Sequence, residues 1–145
     1  MKIAIGSDHA GYELKEYLKT VLEKLNHEVI DVGTDSLSSC DYPVYGFKVG
    51  ETINEGCATF GVVVCGSGIG ISIAANKVKG IRCANVFCNE HAKLCRQHNN
   101  ANVIAFGARF IGKEQAEEML KIFLDTPFEG DRHTKRVELL DKYIK

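Results

Sequence analysis

Short apolar runs alternate with amphipathic segments along the whole chain. The apolar runs are rich in valine and isoleucine, and most of them show no alternation with polar residues. Continuous apolar character is typical of parallel strands that are covered by helices on both faces. The pattern predicts five strands, at residues 2–6, 28–32, 60–65, 81–86 and 102–106.

Three other segments have apolar residues at helical spacing. The three stripes are Leu14, Leu18, Val21, Leu22 and Leu25; Ala116, Met119, Leu120 and Phe123; and Val137, Leu140, Tyr143 and Ile144. Alternating strands and helices predict a three-layer α/β domain with a mostly parallel sheet. The length of 145 residues suits a full core, so we expect residues 1–145 to form a single domain, with Pro43 and Pro127 in its connections.

The composition is ordinary for a globular protein. Hydrophobic residues make up 45% of the chain, and the formal net charge is −1. Without a basic excess, nucleic-acid binding is not expected as the main task. No apolar run approaches the ~18 residues of a membrane span, and residues 1–8 turn acidic too soon for a signal peptide. We therefore expect a cytoplasmic protein whose six cysteines are reduced thiols.

In a parallel sheet of this kind, ligands bind at the carboxyl ends of the strands. Four predicted connections follow strand ends and therefore meet at one edge, at residues 7–11, 33–43, 66–70 and 107–109. Their polar side chains include Asp8, His9, Tyr42 and Arg109. None of these residues alone is strong evidence for a functional site, because polar residues are common in turns.

The connection after the third strand is the most informative. It reads Cys65-Gly66-Ser67-Gly68-Ile69-Gly70. Glycines allow main-chain N–H groups to turn toward a bound anion, and a thiol beside such groups ionises more easily than a free one. A lone cysteine at a strand end is more often structural, but the serine and three glycines favour catalysis. The spacing is one residue short of the dinucleotide fingerprint, so nucleotide binding is disfavoured.

A second cluster lies on one predicted helix. Cys88, His91, Cys95 and His98 share a helix face, and their residue types suit zinc. One straight helix cannot close a tetrahedron with four ligands, and no second pair of closely spaced cysteines is present. We therefore expect no metal. His98, followed by Asn99, remains a candidate acid–base or substrate-positioning group.

A basic cluster precedes the C-terminal stripe. Asp131 suits an N-cap, and Arg132 and Arg136 then share one helix face. Two arginines in a first helical turn oppose the helix dipole, and a phosphate bound between them would remove that conflict. The alternative is a solvated basic face that is balanced by Glu138 and Asp141. The sequence leaves both open.

Taken in order, five motifs resemble the type B ribose-5-phosphate isomerases, whose wider group includes galactose-6-phosphate and allose-6-phosphate isomerases. The motifs are residues 6–11, residues 41–43, the Cys65–Gly70 loop, His98-Asn99 and the Arg132/Arg136 pair. The resemblance covers essentially the whole chain. It implies a Rossmann-like α/β/α sandwich with a five-stranded parallel sheet, no metal or other cofactor, and a homodimer, or a tetramer built from it, with active sites at the subunit interface.

The resemblance also implies roles at the reacting carbons. Cys65 would be the base that moves a proton between C2 and C1 of the sugar, and Ser67 would assist proton traffic between the two oxygens. Opening of the furanose ring would fall to His98, with help from Asp8. The enediolate oxyanion would be held by the amides of Gly66, Gly68, Ile69 and Gly70.

The remaining roles concern binding. His9, Arg132 and Arg136 would hold the phosphate, and Tyr42 would line the sugar pocket. The residues expected to reach the site from the partner subunit are His98, Asn99 and Arg109.

We therefore expect an aldose–ketose isomerase of the pentose phosphate pathway that interconverts ribose 5-phosphate and ribulose 5-phosphate. One alternative within carbohydrate metabolism is an isomerase of a six-carbon sugar phosphate, such as allose 6-phosphate or galactose 6-phosphate. Alternatives from other classes are a non-catalytic module that binds a phosphosugar or a nucleotide, and a zinc-dependent regulator that uses the face from Cys88 to His98.

Overall fold

The computed structural model describes residues 1–143, so Ile144 of the third predicted stripe lies outside the described residues. Five strands occur in this range: β1 Lys2–Ser7, β2 Glu28–Gly33, β3 Phe60–Cys65, β4 Cys83–Asn85 and β5 Val103–Gly107. The helices of the same range are α1 Tyr12–Lys24, α2 Tyr42–Asn54, α3 Ile69–Asn76, α4 Asn89–Gln97, α5 Lys113–Asp125 and α6 Arg132–Lys142.

All strand pairs are parallel, and the order across the sheet is β2-β1-β3-β5-β4. Ile5 on β1 lies opposite Val62 on the central strand β3, which in turn lies opposite Ile104 on β5. The predicted five-stranded parallel sheet is confirmed. β4 is shorter than predicted, because Ile81 belongs to a turn in which its amide donates to the carbonyl of Val78.

Successive strand residues point into two different cores. On one side, Ile3 and Ile5 of β1 pack with buried side chains of α1, α4 and α5. On the other side, Ala4 of β1, with Val63 and Cys65 of β3, packs with buried side chains of α2 and α3. The sheet is therefore the middle layer of an α/β/α sandwich, as predicted, and the side chain of Cys65 faces the layer of α2 and α3.

The helical stripes differ in how well they were predicted. All four apolar positions of α5 are buried, as are the first four of the α1 stripe, whereas Leu25 lies just beyond α1 and is exposed. On α6, Val137 is buried but Leu140 is 59% exposed. The third stripe is therefore not a core stripe within this chain.

The interpretation of Pro43 as part of a connection is wrong. Pro43 lies in the first turn of α2, where proline fits because an N–H at that position has no partner within the helix. The same helix packs closely on α3. A Cβ at Gly46 would lie 2.8 Å from the Cβ of Ala74 and 2.9 Å from the carbonyl oxygen of Ile71. Pro127 does lie in a connection, between α5 and α6.

Two ion pairs anchor α1 to the carboxyl end of β2. The Lys15 ammonium is fully buried and donates to the carboxylate of Asp31 at 2.6 Å, and Lys19 donates to the same carboxylate at 2.8 Å. Burial raises the pKa of Asp31, but the hydrogen bonds from the two lysines lower it by more, so the pKa is below its usual value.

Within residues 1–143, no helix has the length and apolar character needed to cross a bilayer.

Candidate active site

The four predicted connections meet at the carboxyl edge of the sheet. The amide of Asp8 donates to the carbonyl of Val64 at 3.2 Å, and the amide of Thr34 donates to that of Ser7 at 2.8 Å. On the other side of β3, the amide of Ala108 donates to the carbonyl of Cys65 at 2.9 Å. The ends of β1, β2, β3 and β5 are therefore joined by backbone hydrogen bonds around the Cys65 loop.

Cys65 ends β3 directly before the first turn of α3. Its side chain is buried, with the residue 4% exposed, and its sulfur accepts a hydrogen bond from the amide of Gly68 at 3.2 Å. Gly68 is the N-cap of α3, so the sulfur lies at the positive end of that helix. An N–H group and a helix N-terminus both stabilise negative charge on a thiol, which suits a thiolate base.

The turn into α3 requires glycine at position 68. Gly68 has a φ of +79°, in the left-handed region. A Cβ there would lie 2.9 Å from the carbonyl carbon of Phe106 and would also collide with the side-chain oxygen of Asn85. Ser67, one residue before, is exposed, and its hydroxyl accepts from the amide of Ile69 at 3.1 Å. The amides of this turn and the Ser67 hydroxyl therefore lie together at the carboxyl edge of the sheet.

Two predicted side chains lie against the loop. The ring of Tyr42, at the start of α2, packs on Gly70, since a Cβ at Gly70 would lie 2.6 Å from its Cζ atom. The guanidinium of Arg109 packs on Gly66, since a Cβ there would lie 2.9 Å from its Nη1 atom. We expected Arg109 to reach the site from a partner subunit, and its place beside the Cys65 loop of its own chain differs from that expectation.

Asp8 and His9 follow β1 at the same edge. Asp8 is buried, and its carboxylate accepts from the amide of Gly11 at 3.0 Å. Nδ1 of His9 accepts from the amide of Cys40 at 3.2 Å, which ties the connection between β2 and α2 to the end of β1. Asp8 and His9 are therefore fixed by local hydrogen bonds close to the Cys65 loop.

His98 and Asn99 lie at the opposite edge. α4 starts after the carboxyl end of β4 and runs back, so that it ends near the amino ends of the strands. The carbonyl of Asn99 accepts from Nε of Arg82, the residue before β4, at 3.1 Å. A strand of six residues, such as β3, is about 16–20 Å long. One chain therefore does not bring His98 to Cys65.

Arg132 and Arg136 lie at the same edge of the sheet as His98. The ring of His133, in the first turn of α6, stacks on the ring of His98 with centroids 4.3 Å apart. Arg132 and Arg136 are exposed near this turn, at the amino edge of the sheet. Asp141 does not balance them, because its carboxylate pairs with Arg82 at 2.7 Å.

The N-cap prediction for Asp131 is confirmed only in position. Asp131 is the residue before α6, but its side chain makes no capping hydrogen bond. Arg132 lies in the first turn of α6, Arg136 follows one turn later, and the first turn has no acidic side chain, so the expected attraction of this helix end for an anion remains.

The face from Cys88 to His98, which was considered for zinc in the sequence and judged unsuited to it, does not form a group of converging ligand atoms within the described residues. Cys95 is buried, its thiol donates to the carbonyl of Ala92, and burial raises the pKa of this thiol to about 11. A protonated thiol is a poor zinc ligand. The group that does come together is His98, Glu129 and His133, whose ligand atoms lie within 4.8 Å of one another. Sequence reasoning missed Glu129 and His133, although His133 lies between the two arginines of the basic cluster.

Sequence reasoning also missed an apolar surface beside Ser67. A cavity of about 450 Å³ opens there, lined in part by Ile69, Asn85, Phe87 and Phe110. The ring of Phe110 is 76% exposed, and Phe87 is exposed as well. Exposed aromatic rings next to a reactive loop are typical of a surface that another protein chain covers.

A family model described as Ribose/Galactose Isomerase matches residues 3–140. The chain belongs to the ribose/galactose isomerase family. A relative from this family, ribose-5-phosphate isomerase B of Escherichia coli (strain K12), is 45% identical over 141 residues, covering 96% of this chain and 93% of that protein. The resemblance inferred from the motifs is thereby confirmed.

Solved structures support the same ribose/galactose isomerase fold. Ribose-5-phosphate isomerase B of Clostridium thermocellum superposes with a TM-score of 0.97 at 46% identity, covering 98% of this chain and 96% of that one. The enzyme of Mycoplasma genitalium, solved with bound ribulose-5-phosphate, gives a TM-score of 0.93 at 35% identity, covering 98% of this chain and 95% of that one.

Proposed function

We propose that this protein interconverts D-ribose 5-phosphate and D-ribulose 5-phosphate through an enediolate, as an aldose–ketose isomerase of the pentose phosphate pathway. The observation that carries the proposal is the thiol of Cys65 at the N-terminus of α3, 3.2 Å from the amide of Gly68. The names of its relatives and the ribulose-5-phosphate bound to the Mycoplasma genitalium enzyme support the choice of a pentose phosphate.

The chemistry begins after the sugar ring has opened. The Cys65 thiolate takes the proton from C2, and the electron pair of the C–H bond moves into the new C1–C2 double bond while the carbonyl oxygen at C1 becomes an oxyanion. The thiol then returns the proton to C1, and the carbonyl forms at C2. A positioned base typically contributes about 10²–10⁴-fold in rate.

The loop amides would stabilise the charge that this step creates. Of the amides from Gly66 to Gly70, those of Gly68 and Ile69 donate to the Cys65 sulfur and the Ser67 hydroxyl in this structure, and they would share these hydrogen bonds with the oxyanion as it forms. One preorganised donor to an oxyanion is typically worth about 2.7–4 kcal/mol. Ser67 would carry the proton between the two substrate oxygens, since its exposed hydroxyl lies 3.1 Å from the amide of Ile69.

We further propose that each site combines two copies of the chain. Asp8, His9, Tyr42 and Arg109 would come with Cys65 from one copy, because they lie at the carboxyl edge. The residues that would come from the partner, because they lie at the amino edge, are His98, Asn99, Arg132 and Arg136. The exposed rings beside Ser67 support a chain–chain contact at this place.

In a site built from two chains, the groups that bind the phosphate are separate from the Cys65 loop. Arg132 and Arg136 would bind the phosphate, with His9 opposite them. His98 would assist ring opening, together with Asp8.

We propose that residues 1–145 act as one domain within a homodimer. The cysteines of the described range are unpaired, which suits a reducing compartment such as the cytoplasm.

The test is a panel of five- and six-carbon aldose phosphates, with kcat/KM measured for each. We expect the highest value for ribose 5-phosphate and lower values for allose 6-phosphate and galactose 6-phosphate. A higher value for a six-carbon substrate would contradict the substrate assignment. Binding of ribose 5-phosphate without turnover would contradict the isomerase assignment in favour of a binding module.

A further inference from the structure

Three side chains meet where α4 ends and α6 begins, and only one of them has a role in the proposed mechanism. The rings of His98 and His133 are stacked, with centroids 4.3 Å apart and planes 15° apart. Oxygen Oε1 of Glu129 lies 4.0 Å from Nε2 of His98 and 3.6 Å from Nε2 of His133. One carboxylate therefore faces the same edge of both rings.

Backbone hydrogen bonds hold this cluster in place. The amide of Glu129 donates to the carbonyl of Gln97, the residue before His98, at 3.1 Å. The amide of His133 donates to the carbonyl of Gly130 at 3.0 Å. The loop that carries Glu129 is thus tied both to the end of α4 and to the first turn of α6. The arrangement is part of the local fold and not a chance meeting of surface side chains.

His133 is the buried member of the cluster. It is 6% exposed, and its Nε2 has no hydrogen-bond partner within residues 1–143. Burial lowers the pKa of His133, and the charge of Arg132 lowers it further. The other charged groups around the ring are those of His98, Arg136 and Glu129. A buried ring nitrogen without a hydrogen-bond partner costs stability, which points to a role of His133 in function.

The stacking argues against a metal ion at this cluster. A metal binds an imidazole in the plane of the ring, along the lone pair of the nitrogen. The rings of His98 and His133 lie in two separate, nearly parallel planes, so one ion cannot lie in both. The carboxylate of Glu129 is different, because an oxygen accepts hydrogen bonds over a broad range of directions.

We propose that Glu129 and His133 are positioning residues for His98. Glu129 faces the Nε2 edge of the His98 ring at 4.0 Å and would form a charge-assisted hydrogen bond with it in the substrate complex, while His133 supports the same ring from one face. This rests on the proposed function, in which His98 handles a proton during ring opening. The 4.0 Å contact closes when the sugar binds, as catalytic hydrogen bonds commonly do. Nδ1 is then the nitrogen of His98 that faces the substrate.

The test separates ring opening from proton transfer at carbon. Ribose 5-phosphate is mainly a furanose in water and must open before it reacts, whereas ribulose 5-phosphate cannot form a furanose because its C5 oxygen carries the phosphate. In D₂O, the base removes a proton from C1 of ribulose 5-phosphate, the thiol exchanges with solvent, and a deuteron returns to C1. This exchange, followed by proton NMR, needs Cys65 but no ring opening.

For Glu129→Gln we expect turnover of ribose 5-phosphate to fall about ten- to a hundredfold, as for the loss of a hydrogen bond to a charged group. Deuterium exchange at C1 should stay within about twofold of the wild type, since enolisation does not need His98. His133→Ala should behave like Glu129→Gln. His133→Phe, which keeps a stacking ring, and Glu129→Asp, which keeps the carboxylate, should each recover part of the turnover.

Matched controls are Glu138→Gln on α6 and His91→Ala on α4, both at exposed positions. Unchanged turnover in Glu129→Gln would overturn the proposal. So would a parallel fall in turnover and exchange, since that pattern indicates general damage to the site. Loss of wild-type activity in chelator, with recovery on added zinc, would overturn it in favour of a metal site. A wild-type protein that catalyses neither reaction would instead refute the proposed function.

Discussion

The amide nitrogen of Gly68 lies 3.2 Å from the sulfur of Cys65. This contact joins a buried thiol to the first turn of α3, so the proposed base lies beside the amides proposed to bind the oxyanion. The same geometry would stabilise the thiolate before the reaction and the substrate oxyanion during it.

The first prediction concerns the base itself. Cys65→Ala should lower kcat for ribose 5-phosphate by about 10²–10⁴-fold, because a positioned base contributes that much to the rate. The midpoint of urea unfolding should change little, since alanine fits the space of the small thiol. Cys57→Ala, at an exposed cysteine before the amino end of β3, is the matched control. Wild-type kcat in the Cys65 variant would refute the mechanism.

A second prediction concerns the turn at Gly68. Gly68→Ala places a side chain at positive φ and against the backbone of Phe106. Gly56 has a similar φ of +78° but open space around it, so Gly56→Ala should cost about 1–2 kcal/mol of unfolding free energy from the backbone alone. Gly68→Ala should cost about 1–3 kcal/mol more, through overpacking.

Turnover gives the second readout of the same pair of variants. Gly68→Ala should lose most of its kcat, because the amides and the Cys65 sulfur move apart, whereas Gly56→Ala should keep it. Equal unfolding free energies and equal kcat values in the two variants would show that the close approach at Gly68 has no consequence.

The third prediction concerns the phosphate. Arg132→Gln combined with Arg136→Gln should raise KM for ribose 5-phosphate by about tenfold or more and weaken inhibition by inorganic phosphate, because each arginine supplies charge-assisted hydrogen bonds. Lys135 lies on the same helix, and Lys135→Gln removes one positive charge there. This variant therefore controls for the general electrostatic effect of losing positive charge. If KM rises equally in Lys135→Gln, the effect is one of net charge and not of specific binding.

The sequence predicted most of the fold, and the exceptions have physical causes. The strands were found because Ile3, Val62 and Ile104 belong to apolar runs that are buried on both faces. α2 gave no helical stripe because its buried positions include Gly46 and Gly50, which are small enough for close packing and carry no apolar signal. Leu140 was expected in the core because it follows helical spacing. Spacing alone does not show whether an apolar helix face is buried within its own chain or against another chain.

The candidate site was predicted as a set of residues but not as an arrangement. The neighbours of Cys65 were found because consecutive parallel strands end at one edge. The same rule places the end of α4 at the other edge, so the separation of His98 from Cys65 could have been inferred from the order of strands and helices. The Glu129–His133 cluster could not, because it depends on how the loop before α6 folds on α4.

The fourth prediction tests whether one site draws on two chains. Cys65→Ala and His98→Ala should each be nearly inactive as pure proteins. When the two variants are co-expressed with different tags, a mixed dimer has one site that lacks both groups and one site that is intact. Random pairing makes half of the dimers mixed, so the total activity should recover to about a quarter of the wild type.

Purification through both tags in series isolates the mixed dimers, which should reach about half of the wild-type kcat per dimer. The control is a mixture of Cys65→Ala with Ser67→Ala, whose substituted residues lie in the same loop of one chain. Every site of that mixed dimer lacks one of the two residues, so its activity should remain near that of the parent variants. Recovery in the control, or no recovery in the first mixture, would contradict the proposal that His98 acts across the interface.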